Sequence, residues 1–264
     1  MPHGQSWFSV LLGTFYSNVE HAAQALGAPF SPDGQTWVAH EPIKVGHLFG
    51  SVFVLLLIVA IALVANAKVT DTKAAIVPED RLTARTFVEL LVGAVYGQMK
   101  AILGAEAARY FLPLIGTCAF FILFSNVLGL IPGFEPPTSN LNTTLACAIV
   151  IFVTTHVYGV AHHGLAYFKH FLGPIIKWYA LPLILLMLVI ETISHFARPV
   201  SLSVRLMANM TADHMVLSIF LGLVPFVVPL PMYMLGSLVV VVQTLVFCLL
   251  STVYISMAIA HEEH

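Results

Sequence analysis

The amino-acid sequence predicts an all-α, polytopic integral membrane protein with about five membrane-crossing helices and one interfacial amphipathic helix. The composition is the first reason, because 59% of the 264 residues are hydrophobic and only 9% are charged, whereas soluble domains average about 25% charged residues. The second is the mean hydropathy of +0.92. The third is a series of apolar runs long enough to cross a bilayer. A chain of this length cannot hide so much apolar surface in a core, so part of its solvent must be lipid.

The chain begins with a stretch of mixed polarity, residues 1–45, which we predict to be an N-terminal extramembrane segment preceding a membrane domain at 46–264. The run 46–67 contains no Asp, Glu, Lys or Arg. As a helix it is long enough to cross a hydrocarbon core of ~30 Å. Residues 79–100 differ, because charged side chains are interleaved with apolar ones. This pattern predicts an amphipathic helix at the membrane surface.

Further crossings are predicted at 109–131, 141–163 and 232–259, which are apolar runs of sufficient length. The stretch 179–222 is harder to assign, because as one helix it would extend ~66 Å, about twice the hydrocarbon thickness. It is therefore either two spans or one strongly oblique helix, and Pro199 would interrupt or kink it.

The distribution of basic residues favours a single crossing at 179–222. Lys and Arg are concentrated after the first and third spans, whereas the loops at 132–140 and 223–231 hold neither. A single crossing then gives a consistent positive-inside arrangement, with the N-terminus outside and the C-terminus inside. Two crossings would move the C-terminus outside.

The sequence lacks the patterns that are typical of several classes of function. The net charge of −2 gives no sign of a nucleic-acid partner. No phosphate loop, nucleophile elbow or dinucleotide fingerprint is present, so we expect neither a nucleotide site nor a cofactor. Residues 156–170 are rich in histidine but lack HExxH, HxxEH and any carboxylate. We therefore interpret His156, His162, His163 and His170 as histidines of an interfacial connector, and expect no metal site.

Ionisable residues inside the stretch 179–222 are few, and they are the candidates for function. They are Glu191, His195, Arg198, Arg205, Asp213 and His214. An arginine at the centre of a membrane helix costs roughly 2.5–3.5 kcal/mol on insertion scales, so such residues are rare and usually mark ion paths. The alternative is a structural ion pair within a helix bundle.

Helical spacing places most of these polar residues on one face. Glu191, His195, Arg198, Arg205 and Asn209 share that face on an ideal helix, with Leu202 interrupting it. Glu191 and Arg205 lie ~21 Å apart along the axis, so they cannot pair directly on a straight helix. Glu, His and Asp can titrate near neutral pH in a suitable environment, whereas Arg stays charged. A path of titratable groups that is interrupted by a fixed cation prevents protons from passing directly across. Because this stretch contains few carboxylates, the acid that pairs with the arginine is expected on another chain.

Three stretches resemble subunit a of the F-type ATP synthase. They are RPVSLSVRLMANMTADH at 198–214, QTLVFCLLSTVYISMA at 243–258 and PTSNLNTT at 137–144, and the similarity extends from about residue 40 onward. The resemblance implies a non-catalytic stator subunit of the bacterial inner membrane. Its expected partners are the c-subunit ring with its mid-membrane carboxylates, the b-subunit peripheral stalk, the rest of the synthase and lipid. It also implies two offset proton half-channels and a tilted hairpin formed by the last two long helices.

The resemblance assigns roles to individual residues. Arg205 matches the essential arginine, Asn209 the asparagine four residues on, and Gln243 the glutamine of the last helix. Glu191 matches the acid of the cytoplasmic half-channel, with His195 nearby in sequence. These positions predict an inner proton path that ends at the arginine.

The outer half-channel departs from the family pattern. His214 falls where members carry Glu or His, but Gly236 stands where many have its His or Glu partner. Asp213 replaces a common glycine and is a candidate to compensate. Asn140 replaces an Asp found in some relatives, and Met207 replaces a usual Phe. We expect these departures to leave the arginine mechanism intact and to alter the outer route.

Two other functions compete with this interpretation. An independent channel or secondary transporter would conduct or transport when purified alone, and the absence of a visible internal repeat weakens it. A membrane-embedded enzyme that uses the histidines would need a bound metal, which an assay on the purified chain would detect.

Overall fold

The structure is a computed structural model that describes residues 6–27, 45–67, 83–164, 181–223 and 229–259. These residues contain seven α-helices and no β-strand. The helices are α1 (Trp7–Gly27), α2 (Gly46–Ala67), α3 (Ala84–Leu103), α4 (Ala105–Gly129), α5 (Leu141–His163), α6 (Leu181–Leu223) and α7 (Pro229–Ile259). A short 3₁₀ turn, Pro137–Ser139, lies between α4 and α5. The predicted all-α class is confirmed.

Of the described helices six, α2 to α7, are long and apolar enough to cross a membrane. The bounds of α2 and α5 coincide with the predicted crossings, and those of α4, α6 and α7 agree within a few residues. The polytopic class is therefore confirmed. Helix α3 is the least apolar of the six, and its location at the membrane surface stays a prediction. It begins after Thr83, whose hydroxyl accepts a hydrogen bond from the Thr86 N–H. The predicted start of this helix, residues 79–82, lies outside the described residues.

Helix α6 is continuous over 43 residues, with Pro199 inside it. At ~1.5 Å per residue it extends ~65 Å, about twice a hydrocarbon core. Of the two arrangements that the sequence allowed, the single long helix is the one observed. Lipid cannot form hydrogen bonds with the backbone groups that a break in a helix exposes. A membrane helix therefore continues through a proline where other protein groups satisfy the backbone atoms that the proline frees. The tilt of α6 against the membrane stays a prediction.

The chain divides into two compact units, and the division cuts α6 between Ala208 and Asn209. The first unit comprises Met1–Val77, Phe120–Thr143 and Asn209–Val241. The second unit comprises Pro78–Ala119, Thr144–Ala208 and Val242–His264. Each unit therefore holds its own segment of α6 and its own set of the predicted polar residues.

In the first unit, helix α1 is anchored by its N-terminal end and by contacts between aromatic rings. The Trp7 indole Nε1 donates to the Pro132 carbonyl oxygen at 3.1 Å. The Phe8 ring contacts the rings of Phe49, Phe53 and Phe134, with centroids 5.3–6.5 Å apart. These contacts fix α1 against α2 and against the turn that follows α4.

Candidate functional site

In the second unit, Glu191 and His195 lie against each other on α6. The His195 Nδ1 is 3.3 Å from the Glu191 carboxylate Oε1 and 2.9 Å from the Glu191 carbonyl oxygen. The His195 side chain is 12% exposed, so this contact is shielded from bulk solvent. The predicted proximity of the two residues at positions i and i+4 is therefore present.

His195 also faces a small cavity that no sequence argument predicted. The cavity has a volume of about 20 Å³ and is lined by His156 of α5, His195 and Arg198 of α6, and Tyr254 of α7. The Arg198 guanidinium carbon lies 5.6 Å from the centroid of the Tyr254 ring, within the range of a cation–π contact. This arrangement places two imidazoles and a permanent cation around one small space.

The sequence predicts a connector position for His156, and the structure corrects this. It lies inside α5, half-buried, with its ring centroid 5.5 Å from that of His195. The side chains of His162 and His163, and all of His170, lie outside the part of the chain whose placement is described. A signal was available, because His156 lies within the predicted crossing at 141–163.

Arg205 is exposed on α6. It forms no hydrogen bond or ion pair with the residues that the structure describes. Its neighbours Leu202 and Leu206 are buried, so the helix packs inward beside it while the guanidinium points away from the packed face. Asn209 is exposed as well, whereas Gln243 of α7 is only 5% exposed.

In the first unit, Asp213 and His214 line a larger cavity of about 190 Å³ together with Asn126 of α4 and Gly236 of α7. Three buried polar atoms of the lining residues have no hydrogen-bond partner among the described residues: Asn126 Nδ2, Asp213 Oδ2 and His214 Nδ1. Buried polar atoms are normally satisfied by protein or by water. The space is large enough to hold several water molecules.

The wall of this cavity is built by close packing of the turn between α4 and α5. The Thr138 hydroxyl donates to Asn126 Oδ1 at 2.6 Å, and both side chains are fully buried. A Cβ on Gly236 would lie 3.0 Å from Leu130 Cδ2, so the glycine leaves this part of the wall without a side chain. The Asn140 side chain accepts from the Asn142 N–H at 2.9 Å, which caps α5.

Sequence reasoning therefore found Asp213, His214 and Gly236, and it missed Asn126. The signal for Asn126 was an amide side chain within the second predicted crossing, in the stretch FSNVLG. Among the residues that the structure describes, no group of three or more His, Cys, Asp or Glu side chains is arranged to hold a metal ion.

Comparison with known proteins identifies the family. The family model of the ATP synthase A chain matches residues 48–256. The chain belongs to the ATP synthase A chain family. Among its relatives is the ATP synthase subunit a of Sorangium cellulosum, 45% identical over 88% of this chain and 90% of the relative. The subunit a of Geobacter sp. strain M21 is 51% identical over 67% of this chain and 75% of the relative. The subunit a of Trichlorobacter lovleyi is 52% identical over 65% of this chain and 72% of the relative.

Family membership confirms the resemblance seen in the sequence and the prediction of a non-catalytic subunit, because ATP chemistry takes place on other subunits. The bacterial relatives and the six long apolar helices agree with a multi-pass protein of the bacterial inner membrane that serves ATP synthesis and proton transport.

Proposed function

We propose that this chain is the proton-translocating stator subunit of an F-type ATP synthase, in which Arg205 couples proton flow to the rotation of a c-subunit ring. The observation that carries the proposal is the exposed guanidinium of Arg205, which forms no ion pair or hydrogen bond with the described residues of its own chain. A cation placed in an apolar helix needs an anion to offset its cost. Carboxylates that arrive one at a time on the ring meet that need, and the b-subunit stalk would hold the stator in place.

The coupling follows from simple electrostatics. Two unit charges 4 Å apart attract by about 4 kcal/mol at an effective dielectric constant of 20. That free energy favours the deprotonated ring carboxylate beside Arg205 by a factor of about a thousand. A protonated carboxylate gains little from the same approach. Each ring site therefore gives up its proton before it passes Arg205, and a proton cannot cross without turning the ring.

Two proton paths lead to the ring from opposite sides of Arg205 along the sequence of α6. On the outer path, protons enter the 190 Å³ cavity and pass Asp213 and His214, and Asn209 lines the approach to the ring. With Gly236 in the wall, Asp213 and water take the place of a side chain there.

On the inner path, protons leave the ring past Glu191 and His195, which are in contact, and Gln243 lies on the helix expected to face the arginine. We place the N-terminus outside and the C-terminus in the cytoplasm. A membrane potential of 100 mV then supplies about 2.3 kcal/mol for each proton that passes inward.

The decisive experiment replaces Arg205→Ala in the assembled synthase and measures ATP-driven proton pumping and passive proton leak in membrane vesicles. We expect pumping to be abolished, assembly to be retained and the leak to increase. Arg109→Ala is the matched control, because Arg109 is also an exposed arginine of the second unit and has no assigned role. Normal pumping by the Arg205→Ala complex would overturn the proposal. Proton conduction by the purified chain alone would favour an independent channel instead.

A further inference from the structure

Helix α1 has an uncovered apolar surface beside the start of a helix that is apolar enough to cross the membrane. Its side chains Val10, Leu11 and Phe15 are 53%, 73% and 59% exposed, yet α1 is not among the helices that are apolar enough to cross. We propose that α1 is an interfacial helix that inserts these three side chains among the lipids of the outer leaflet and holds the turn at 130–136 at the membrane surface. The choice of the outer leaflet rests on the orientation in the proposed function, whereas the interfacial placement rests on the contacts of α1.

Helix α1 crosses the end of α2 instead of running along it. Phe8 and Tyr16 are eight residues apart, and both contact the ring of Phe49, with centroids 6.5 and 5.2 Å away. If the two helices ran side by side, residues ~12 Å apart along one would meet residues equally far apart on the other. Gly13 lies between the two contacts with a φ of 40°, in the left-handed region that glycine adopts readily. The bend at this residue lets both halves of α1 reach the same ring.

The contacts of α1 place it at the depth of a membrane surface. Phe49 and Phe53 lie in the first two turns of α2, and the Phe8 ring is 5.9 Å from that of Phe53. The Tyr16 hydroxyl lies at the first residue of α2, because a Cβ on Gly46 would be 3.4 Å from its oxygen. The first half of α1 is therefore within about 10 Å of the level at which α2 begins. Interfacial helices bury their apolar face about 5–10 Å deep, and tyrosine is typical of that level.

The character of the surrounding surface favours lipid as the cover of α1. The exposed apolar surface continues onto α2, where Leu48 and Val52 are 51% and 55% exposed. After Tyr16 the exposed positions become polar, as at Asn18 and His21, which suits a helix whose second half faces headgroups and water. Helix α1 contains no Lys or Arg, so it offers no attraction to anionic headgroups. Apolar insertion is then the interaction that holds it, and zwitterionic lipid is sufficient.

The same helix holds one wall of the proposed outer path. The Trp7 backbone N–H donates to the Gly133 carbonyl oxygen at 3.1 Å, and the Trp7 indole Nε1 donates to the Pro132 carbonyl oxygen at 3.1 Å. The turn that receives these hydrogen bonds continues to Pro136, which lines the 190 Å³ cavity. Insertion of α1 into the bilayer therefore limits the movement of this wall.

The test measures the depth of a nitroxide spin label on α1 in the assembled synthase, in vesicles of phosphatidylcholine alone. Leu11→Cys carries the label in a background without other reactive cysteines, and Asn18→Cys is the matched control on the same helix. We expect the label at position 11 to collide more often with oxygen than with a water-soluble nickel chelate, at a depth of about 5–10 Å. The label at position 18 should show the reverse preference.

Two results at position 11 would overturn the proposal. A preference for the nickel chelate would place this face of α1 in water. Low collision rates with both probes would mean that another protein, rather than lipid, covers it.

A second measurement compares Leu11→Glu with Asn18→Glu. Full burial of a leucine side chain corresponds to a factor of about 10 to 150 in partition between water and an apolar phase. Leu11→Glu should therefore expose a label at Phe15→Cys to the nickel chelate and slow ATP-driven pumping several-fold, whereas Asn18→Glu should change neither. Wild-type pumping with the label exposed would refute the role of α1 in holding the turn. If Leu11→Glu does not assemble, the label depth of Leu11→Cys decides alone.

The Arg205→Ala complex, measured alongside, separates this inference from the proposed function. If Arg205→Ala stops pumping while the label at position 11 lies in water, the interfacial placement is wrong and the stator function stands. If Arg205→Ala pumps normally while that label lies in lipid, the proposed function is wrong and α1 remains an interfacial helix.

Discussion

Gly129, the last residue of α4, offers a sharp test of how the outer cavity is built. A Cβ at this position would lie 2.8 Å from Pro136 Cβ and 2.9 Å from Pro136 Cγ. Such distances are not tolerated, and Pro136 is a buried, rigid ring that cannot rotate away. The substitution Gly129→Ala must therefore displace the turn that separates α4 from α5, and both residues line the 190 Å³ cavity.

The size of the effect follows from a matched control in the same helix. Overpacking costs typically 1–3 kcal/mol, whereas replacing a helical glycine by alanine stabilises by roughly 0.5–1 kcal/mol when space is available. A Cβ at Gly116 of α4 meets nothing within 4 Å. Gly116→Ala should thus show only the gain, and the difference between the two variants isolates the overpacking cost. An overpacking cost of about 1–3 kcal/mol corresponds to a factor of about 5 to 150 in the equilibrium constant of unfolding.

The assay is reversible unfolding of the purified chain in mixed micelles, followed by loss of helical signal as denaturing detergent is added. We expect Gly129→Ala to unfold earlier than wild type and Gly116→Ala to unfold at the same point or later. In vesicles that contain the assembled synthase, Gly129→Ala should also slow proton pumping because it distorts the cavity. Equal stability and equal pumping of the two variants would refute the argument that Gly129 and Pro136 shape the outer path.

Two further predictions concern the same cavity. Thr138→Val removes the hydroxyl that donates to Asn126 Oδ1 and should destabilise the chain by about 1–3 kcal/mol, because a buried acceptor loses its partner; Thr154→Val, at an exposed site, should be nearly neutral in the same unfolding assay. His214→Ala should slow proton pumping clearly, since His214 is a titratable group on the cavity wall. If pumping is unchanged, the measurement of Asp213→Asn decides whether that carboxylate carries the outer route instead.

The fold could be predicted from the sequence because the apolar runs are long and their ends are marked by charge or proline. The apolar runs alone were sufficient to predict the bounds of α2 and α5. The course of α6 could not be settled in this way, since Pro199 is compatible both with a break and with a continuous helix. Which of the two occurs depends on whether the backbone groups freed by the proline find other partners, and that is a property of the packed structure.

The site was predictable only where residues share one helix. The spacing of Glu191 and His195 indicated their contact, whereas the meeting of His195 with His156 joins two helices and has no signature in either segment alone. The same is true of Asn126, which joins Asp213 and His214 at the outer cavity. A single sequence without aligned relatives cannot indicate such pairings, because they depend on how the helices are packed.

The polar groups of the apolar helices differ in where their partners are found, and this difference indicates what each one binds. Hydroxyls such as those of Thr155 and Thr252 donate to carbonyls one turn earlier and need nothing more. The atoms Asp213 Oδ2 and His214 Nδ1 have no hydrogen-bond partner among the described residues, although both residues line the 190 Å³ cavity. Arg205 lies on an exposed face and forms no hydrogen bond or ion pair with the described residues. We infer that the anion it requires comes from a neighbouring subunit, and that a moving carboxylate provides it only in the state that has lost its proton.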